Sequence, residues 1–592
     1  AYIGGYLPFR NMATKSIVEK SAELKEYVTQ FDVDSFCGFC AFFIRQHSQG
    51  ALPGNMTEFR SVQKDLTYLI ALNYFNVKER AEYFPTTDET VGNLANRVND
   101  IKHSYIRDSF SELRLNVDRS YQHRALVHEQ MFRFYHDNGL LNYMEQEINR
   151  IEETYGEHDA TVRSETGLAI SDFIDCFIAL ENIQRAKEHE SLLVFREPLI
   201  VETPAFAREI VTPEDEMEFT EAVNRLPGGV KEAFLKFNEC PHYYLKVTVE
   251  ELAVFIEEEK AALFLEHLST EPALHSDFSF YDQYNPLEDY PLLRIENGFL
   301  HTNGKQLLVA INELLFRTVA KSKTLTKACG LVEKELENQT RRVLEHFFQG
   351  TDFKVYQNYF IDQKEQDLLI ECGSKVIVCE CKSTQLRSPL RDIDRFYVRA
   401  RDDFKKSIQK GYEQGERVVE LLTRDEITII CDHKGKEIGR IKQRAAKDVS
   451  LWIVTDRSLG PAQVDLSYML DSERPLSNFP WSVCIDDLET FLLYLDREPK
   501  PRSRLFDYVK LRPHLYGRVI CPDELDLAGL YLTSRDEFVR KCRGDLDSPF
   551  IDLTLQRVFD DQYHSDAGLG FSSRLRDRLW SAGDLEAASS RN

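Results

Sequence analysis

No window of the 592-residue chain approaches eighteen consecutive uncharged apolar residues, which excludes a membrane-spanning helix. The opening AYIGGYLPFRNM has no basic segment followed by a hydrophobic stretch, so neither export nor a membrane is expected and the expected location is cytoplasmic. Local signatures of several enzyme classes are also missing. There is no GxxxxGK[ST] loop, no GxGxxG, no HExxH and no GxSxG, so ATP hydrolysis, dinucleotide binding, zinc proteolysis and α/β-hydrolase chemistry lack their usual marks. A basic excess is lacking too. With 74 Lys and Arg against 98 Asp and Glu the formal charge is −24, the wrong sign for a surface that coats itself with nucleic acid or anionic lipid. A phosphate-bearing partner must be met locally.

What is present is enough apolar material, 42% of residues, to fill several cores, and a length that predicts two to four domains. Twelve cysteines are scattered, several of them in apolar strand-like runs, which reads as reduced thiols in cores. The one CxxC, Cys37-Gly-Phe-Cys40, has no second pair and lies among hydrophobic residues of a helix, so core packing is the reading there. His128 and His136 sit on an aromatic-rich helix and read as packing or surface residues, and Glu257-Glu258-Glu259 as a solvated face.

Helical spacing dominates residues 12–195, and Pro and Gly thicken after Pro198. From Gly330 the pattern changes to an amphipathic helix up to Phe348, an extended run Phe353–Ile361, and the hairpin-like DLLIECGSKVIVCECKS. A helix from about Asp402 to Leu422 and the strand candidates ITIICD, VSLWIVTD and WSVCID follow, the last running into the helix DDLETFLLYL. This order predicts a multi-domain chain: a helical region at 1–200, a mixed helix and loop region at 201–325, an α/β domain with a mixed sheet at 326–500, and a C-terminal extension at 501–592.

The chemistry concentrates in the hairpin. Gly373-Ser374 suits a two-residue type II′ loop, which pairs Cys372 with Lys375 and, counting outward, Asp367 with Glu380. Directly paired residues share a face with Cβ atoms about 5 Å apart, close enough for two carboxylates to hold one divalent cation. Lys382 points to the same face, whereas Leu368, Ile370, Ile377, Cys379 and Cys381 point to the other, which excludes thiolate or soft-metal chemistry at the site. Two carboxylates side by side in an apolar hairpin repel unless a cation or ammonium compensates, and a conflict of that kind marks function.

These residues resemble the PD-(D/E)XK nucleases, the restriction-endonuclease-like fold, over about a hundred residues from Gly330 to Leu422. The resemblance implies Asp367, Glu380 and Lys382 as the catalytic core, with Gln366 standing where the motif has proline. It also implies a glutamate from the preceding helix, for which Glu333 is the first choice by its angle to the apolar stripe and Glu337 the reserve. A glutamine on the following helix is expected at Gln409, with Gln414 second. One or two Mg²⁺ ions, replaceable by Mn²⁺, are expected on Asp367, Glu380, the Cys381 carbonyl and the helix glutamate. Between Ser383 and Arg424 ten basic residues face seven acidic ones, and Arg387, Arg391, Arg395 and Arg399 recur every fourth residue, giving one basic ridge for nucleic acid if that stretch is helical.

The resulting expectation is a Mg²⁺-dependent deoxyribonuclease, an endonuclease rather than an exonuclease, acting on duplex DNA with RNA kept open. Its architecture resembles prokaryotic anti-phage effectors, acting as a homo-oligomer under an activating protein or ligand. The competing expectation is a nuclease-fold protein that binds nucleic acid or assembles without cutting.

Overall fold

In the computed structural model, the residues described are 15–48, 58–78, 81–115, 118–137, 141–202, 224–225, 227–232, 242–383, 387–545, 548–552 and 554–566, with single positions at 56, 578 and 579. They pack as two compact units, each drawn from separated stretches of chain: one within 1–116 and 180–307, the other within 117–179 and 308–581. Among the described residues no helix is long and apolar enough to cross a membrane.

The first unit is mainly helical. Its helices include Ile17–Val28, which starts at a Ser16 capping box closed by Glu19, and the apolar Val33–Ser48 and Val62–Tyr74. Cys37 and Cys40 are buried in that helical core, Cys37 Sγ lies 3.2 Å from Asn73 Oδ1, and burial pushes both thiols up, away from thiolate. A small sheet orders its four short strands as Lys246–Val247, Gly298–His301, Leu292–Ile295 and Ser269–Thr270.

The second unit is α/β. Its helices that matter below are α1 (Arg119–Asp137), α2 (Met144–Tyr155), α3 (Leu325–Phe348), α4 (Ile393–Phe404), α5 (Lys410–Arg424) and α6 (Ile485–Asp496). Its strands are β1 (Phe353–Ile361), β2 (Lys364–Cys372), β3 (Lys375–Lys382), β4 (Ile427–Cys431), β5 (Glu437–Lys442), β6 (Val449–Thr455) and β7 (Trp481–Cys484). They form one mixed seven-stranded sheet ordered β7-β6-β3-β2-β1-β4-β5. The β3, β6 and β7 strands are parallel, and the pairs from β3 through β2, β1 and β4 to β5 are antiparallel.

Both faces of this sheet are covered, and the parallel strands β7, β6 and β3 lie at one end of it. Leu368, Ile370, Ile377, Cys379 and Cys381 enter a core with Leu336, Val343, Leu344 and Phe347 of α3 and Leu488 and Leu492 of α6. Leu369, Val376 and Val378 enter the opposite core with Val418 and Leu422 of α5 and Val127 and Met131 of α1. Glycines on α5 let it lie flush against the strands. A Cβ on Gly415 would fall 2.2 Å from Leu451 Cδ1, and one on Gly411 would fall 3.2 Å from Ile453 Cγ2 and 3.5 Å from Glu380 Cβ.

The compact units cut across the linear division at 200, 325 and 500. Helices α1 and α2 belong to the unit that holds the sheet, α1 in its core and α2 against α3, because an amphipathic stripe says that a face is buried but not against what. Residues beyond 500 likewise fill the sheet core: Leu505, Tyr508, Leu525, Tyr531 and Phe538 are buried in the cluster that holds Leu368 and Ile377.

Candidate active site

The β2–β3 turn sets the site. Gly373 has φ +57°, the left-handed value that the first position of a II′ loop demands. The ladder then pairs Cys372 with Lys375 and runs outward to Leu368 with Cys379. Asp367 is the next residue, at the level of Glu380, and its Oδ2 accepts the Cys381 amide at 2.7 Å. The expected register therefore holds from the turn to Leu368 and Cys379, and the ladder stops short of Asp367 and Glu380.

Lys382 closes the cluster. Its Nζ donates to Asp367 Oδ2 at 2.8 Å, to Glu380 Oε2 at 3.0 Å and to the Cys381 carbonyl at 3.1 Å. The ammonium thus supplies the compensation that paired carboxylates require. Glu380 is fully buried and Lys382 7% exposed, so these interactions lie in a low dielectric. Burial and then the neighbouring Asp367 charge push the Glu380 carboxyl up to about 8 against the pull of Lys382. Burial acts to lower the Lys382 ammonium, but Glu380 and Asp367 outweigh it and hold it above its ordinary value.

Among the described residues no group of three or more His, Cys, Asp or Glu side chains is gathered closely enough to hold a metal ion. Two carboxylates and one carbonyl nevertheless converge on a single cationic nitrogen, and Glu380 Oε1 is buried with no partner. An all-oxygen donor set already arranged around a positive charge fits a hard divalent cation such as Mg²⁺ or Mn²⁺.

Of the two candidate helix glutamates, Glu337 rather than Glu333 comes under the Asp367 charge. Glu337 is half-buried, and burial followed by the Asp367 charge pushes it up to about 7. Glu333 is exposed, and its Oε1 accepts from Ser383 Oγ at 3.3 Å. Angle to the stripe selected Glu333, but α3 begins at Leu325 and one turn of helix moves a side chain about 5.4 Å along the axis.

The glutamine also differs. Gln409 is spent on the backbone of Asp471, donating to its carbonyl at 3.1 Å and accepting its amide at 2.9 Å, and it donates to Glu413 as well. A π-turn at Lys405–Gln409 joins α4 to α5 and offsets the helical phase across it, which the 3.6-residue count does not anticipate. Gln414, three residues after Gly411 on the same α5 face, keeps a buried Oε1 with no partner.

The four arginines do not form one helical ridge. Asp392 caps α4 by accepting the Arg395 amide at 2.8 Å, so Arg387 and Arg391 precede the helix. Arg387 is paired with Asp403, and Arg399 donates to the Ser388 carbonyl. Asp394, inside the supposed ridge, pairs with Arg124 of α1 at 2.7 Å. Of the four, Arg395 is on the helix and exposed. His128 packs with a ring nitrogen 2.8 Å from the Leu390 carbonyl, and His136 is buried.

Sequence reasoning missed Tyr359 and Arg417. Tyr359 pairs across strands with Gln366, is fully buried, and its hydroxyl has no partner. Burial, then the charges of Glu380 and Asp367, drive its phenol upward while Arg417 pulls the other way. Gln366 Oε1 and Arg417 Nε and Nη2 are likewise buried and unpaired. A tyrosine inside an apolar strand carries no sequence mark of this. Because its hydroxyl makes no hydrogen bond, Tyr359→Phe is expected to leave the thermal midpoint level or to raise stability by about 1 kcal/mol, measured by thermal unfolding.

Set against protein-family models, curated proteins and solved structures, the chain matches none.

Proposed function

We propose that the protein is a Mg²⁺-dependent nuclease of the PD-(D/E)XK type, hydrolysing phosphodiester bonds at Asp367, Glu380 and Lys382. The observation that carries this reading is the convergence of Asp367 Oδ2, Glu380 Oε2 and the Cys381 carbonyl on one cationic nitrogen in a buried β-hairpin. Mn²⁺ would serve in place of Mg²⁺. A divalent ion bound there would offset the phosphodiester charge and acidify a water. Asp367 and Glu380 supply the anionic oxygens that hold such an ion, and Glu337 adds a third carboxylate from the helix. Lys382, once off the carboxylates, orients the attacking water and stabilises charge developing on the phosphate. The apolar packing on both faces of the hairpin keeps these groups in place and limits water around them.

Duplex DNA is the substrate that the family resemblance favours, with endonucleolytic cutting by a homo-oligomer in the cytoplasm. The −24 charge supports dependence on an activating protein or ligand, since it opposes indiscriminate DNA binding. An anti-phage effector would need such control. The ammonium-filled arrangement of the three residues also favours a second reading, a nuclease fold that binds or assembles without cutting.

Incubation of the full chain with linear duplex DNA and, in parallel, with single-stranded RNA, in Mg²⁺ or EDTA, separates the two. Cleavage of DNA that requires the metal and disappears in Asp367→Ala and Lys382→Ala is expected. Degradation that both variants retain would show that the catalytic assignment is wrong.

A further inference from the structure

We infer that the Lys382 ammonium occupies the cation position of this site, so that loading a divalent metal requires Lys382 to leave it. This rests on the proposed reading in one respect, that a hard cation binds here, and it concerns the regulation of that same site. The geometry is specific. Nζ lies 2.8 Å from Asp367 Oδ2, 3.0 Å from Glu380 Oε2 and 3.1 Å from the Cys381 carbonyl, the same three oxygens that the motif reserves for a metal. A Mg²⁺ ion takes oxygens at about 2.0–2.1 Å, so its centre would fall where the ammonium now sits, and the three oxygens would close around it.

The two cations exclude each other for two reasons. The first is space, since the same lone pairs cannot point at both. The second is charge. An ammonium and a divalent ion crowded against the same oxygens repel each other. Lys382 is 7% exposed and Glu380 fully buried, so solvent does little to screen that repulsion. Gly411 on α5 lies beside the lysine stem, where an added Cβ would fall 3.5 Å from Lys382 Cγ. In the metal-free protein Lys382 thus holds the cation position closed, and the ammonium becomes available to the phosphate when a metal takes its place.

Mn²⁺ binding to the full chain, followed by calorimetry and by loss of the free-ion paramagnetic resonance signal without nucleic acid, tests this independently of cleavage. Lys382→Met keeps the stem volume and removes the competing charge, and is expected to bind Mn²⁺ at least tenfold more tightly than the unsubstituted protein. In EDTA the same variant should melt several degrees lower, because its carboxylates have lost their counter-ion. Saturating Mn²⁺ should erase that deficit, since metal and ammonium then do the same job. Lys382→Gln provides the same comparison if the methionine variant does not fold. Equal or weaker Mn²⁺ binding by the variants, or a melting deficit that persists in Mn²⁺, would overturn the inference and leave the nuclease reading standing. Absence of Mn²⁺ binding in every form would overturn both.

Discussion

Glu380→Gln is expected to abolish metal-dependent cleavage while leaving the protein as stable as before at pH 4 and more stable at pH 9. The two halves of this result have one cause. Glu380 is fully buried beside Asp367, and burial together with that charge raises its carboxyl to about 8. Ordinary glutamates ionise near 4.5, so between about pH 4.5 and 8 the folded chain holds a proton that the unfolded chain has released. Stability is therefore lost as pH rises through that window and is lowest above it. Glutamine resembles the protonated acid and never takes on the charge, so the variant escapes a cost of about 5 kcal/mol at high pH. It also cannot give the site its second negative oxygen. Loss of a preorganised charge at a reacting centre costs about 10²–10³-fold in rate, and cleavage should fall by at least that much. Thermal midpoints at pH 4 and 9, measured beside a plasmid-linearisation assay, check both halves.

Glu147→Ala is expected to lower the unfolding free energy by about 3–5 kcal/mol, the usual cost of orphaning buried charges. Glu147 on α2 is completely buried and accepts from Arg457 Nη2 at 2.7 Å, Arg457 Nη1 at 2.8 Å and Asn312 Nδ2 at 2.6 Å, besides Arg150. Burial acts to raise its carboxyl, but Arg457 and Arg150 outweigh burial and bring it down to about 2. This group therefore stabilises the fold above its unfolded pKa, and the contribution disappears as pH falls from about 4.5 toward 2. The variant's deficit should be full at pH 7 and shrink below pH 4, as chemical denaturation at both pH values would report. The loss also reaches the site. Arg457 follows β6, whose Thr455 is registered with Lys382 on β3 and donates to the Arg457 carbonyl at 2.7 Å. Replacing both partners with apolar residues, as in Glu147→Leu with Arg457→Met, should recover most of the stability, because no charge is then stranded.

The two predictions differ in how far the sequence anticipates them. The hairpin was legible because a two-residue loop beginning with glycine admits few registers, and a slip of one residue would have turned Leu368 and Ile370 out of the core. The sheet's mixed character followed from the order of strand and helix patterns. What escaped depended on distance along an axis or on partners far away in the chain. Glu333 and Glu337 share a helix face, and periodicity cannot tell which turn reaches Asp367. Gln409 lies at the end of a π-turn that breaks the regular count. The β5 strand, EIGRIK, lies at the sheet edge with mostly exposed residues and has too little apolar alternation to stand out. Glu147 lies in a charged helical stretch some three hundred residues from Arg457, and nothing local marks the one glutamate among many that two arginines will enclose.

Anomalous scattering from a crystal of the full chain soaked with Mn²⁺ tests the central claim most directly. A peak bonded to Asp367, Glu380 and the Cys381 carbonyl, with Lys382 Nζ withdrawn from all three, is the predicted result. Lys382 still seated between the carboxylates at saturating Mn²⁺, with no metal beside them, would contradict it.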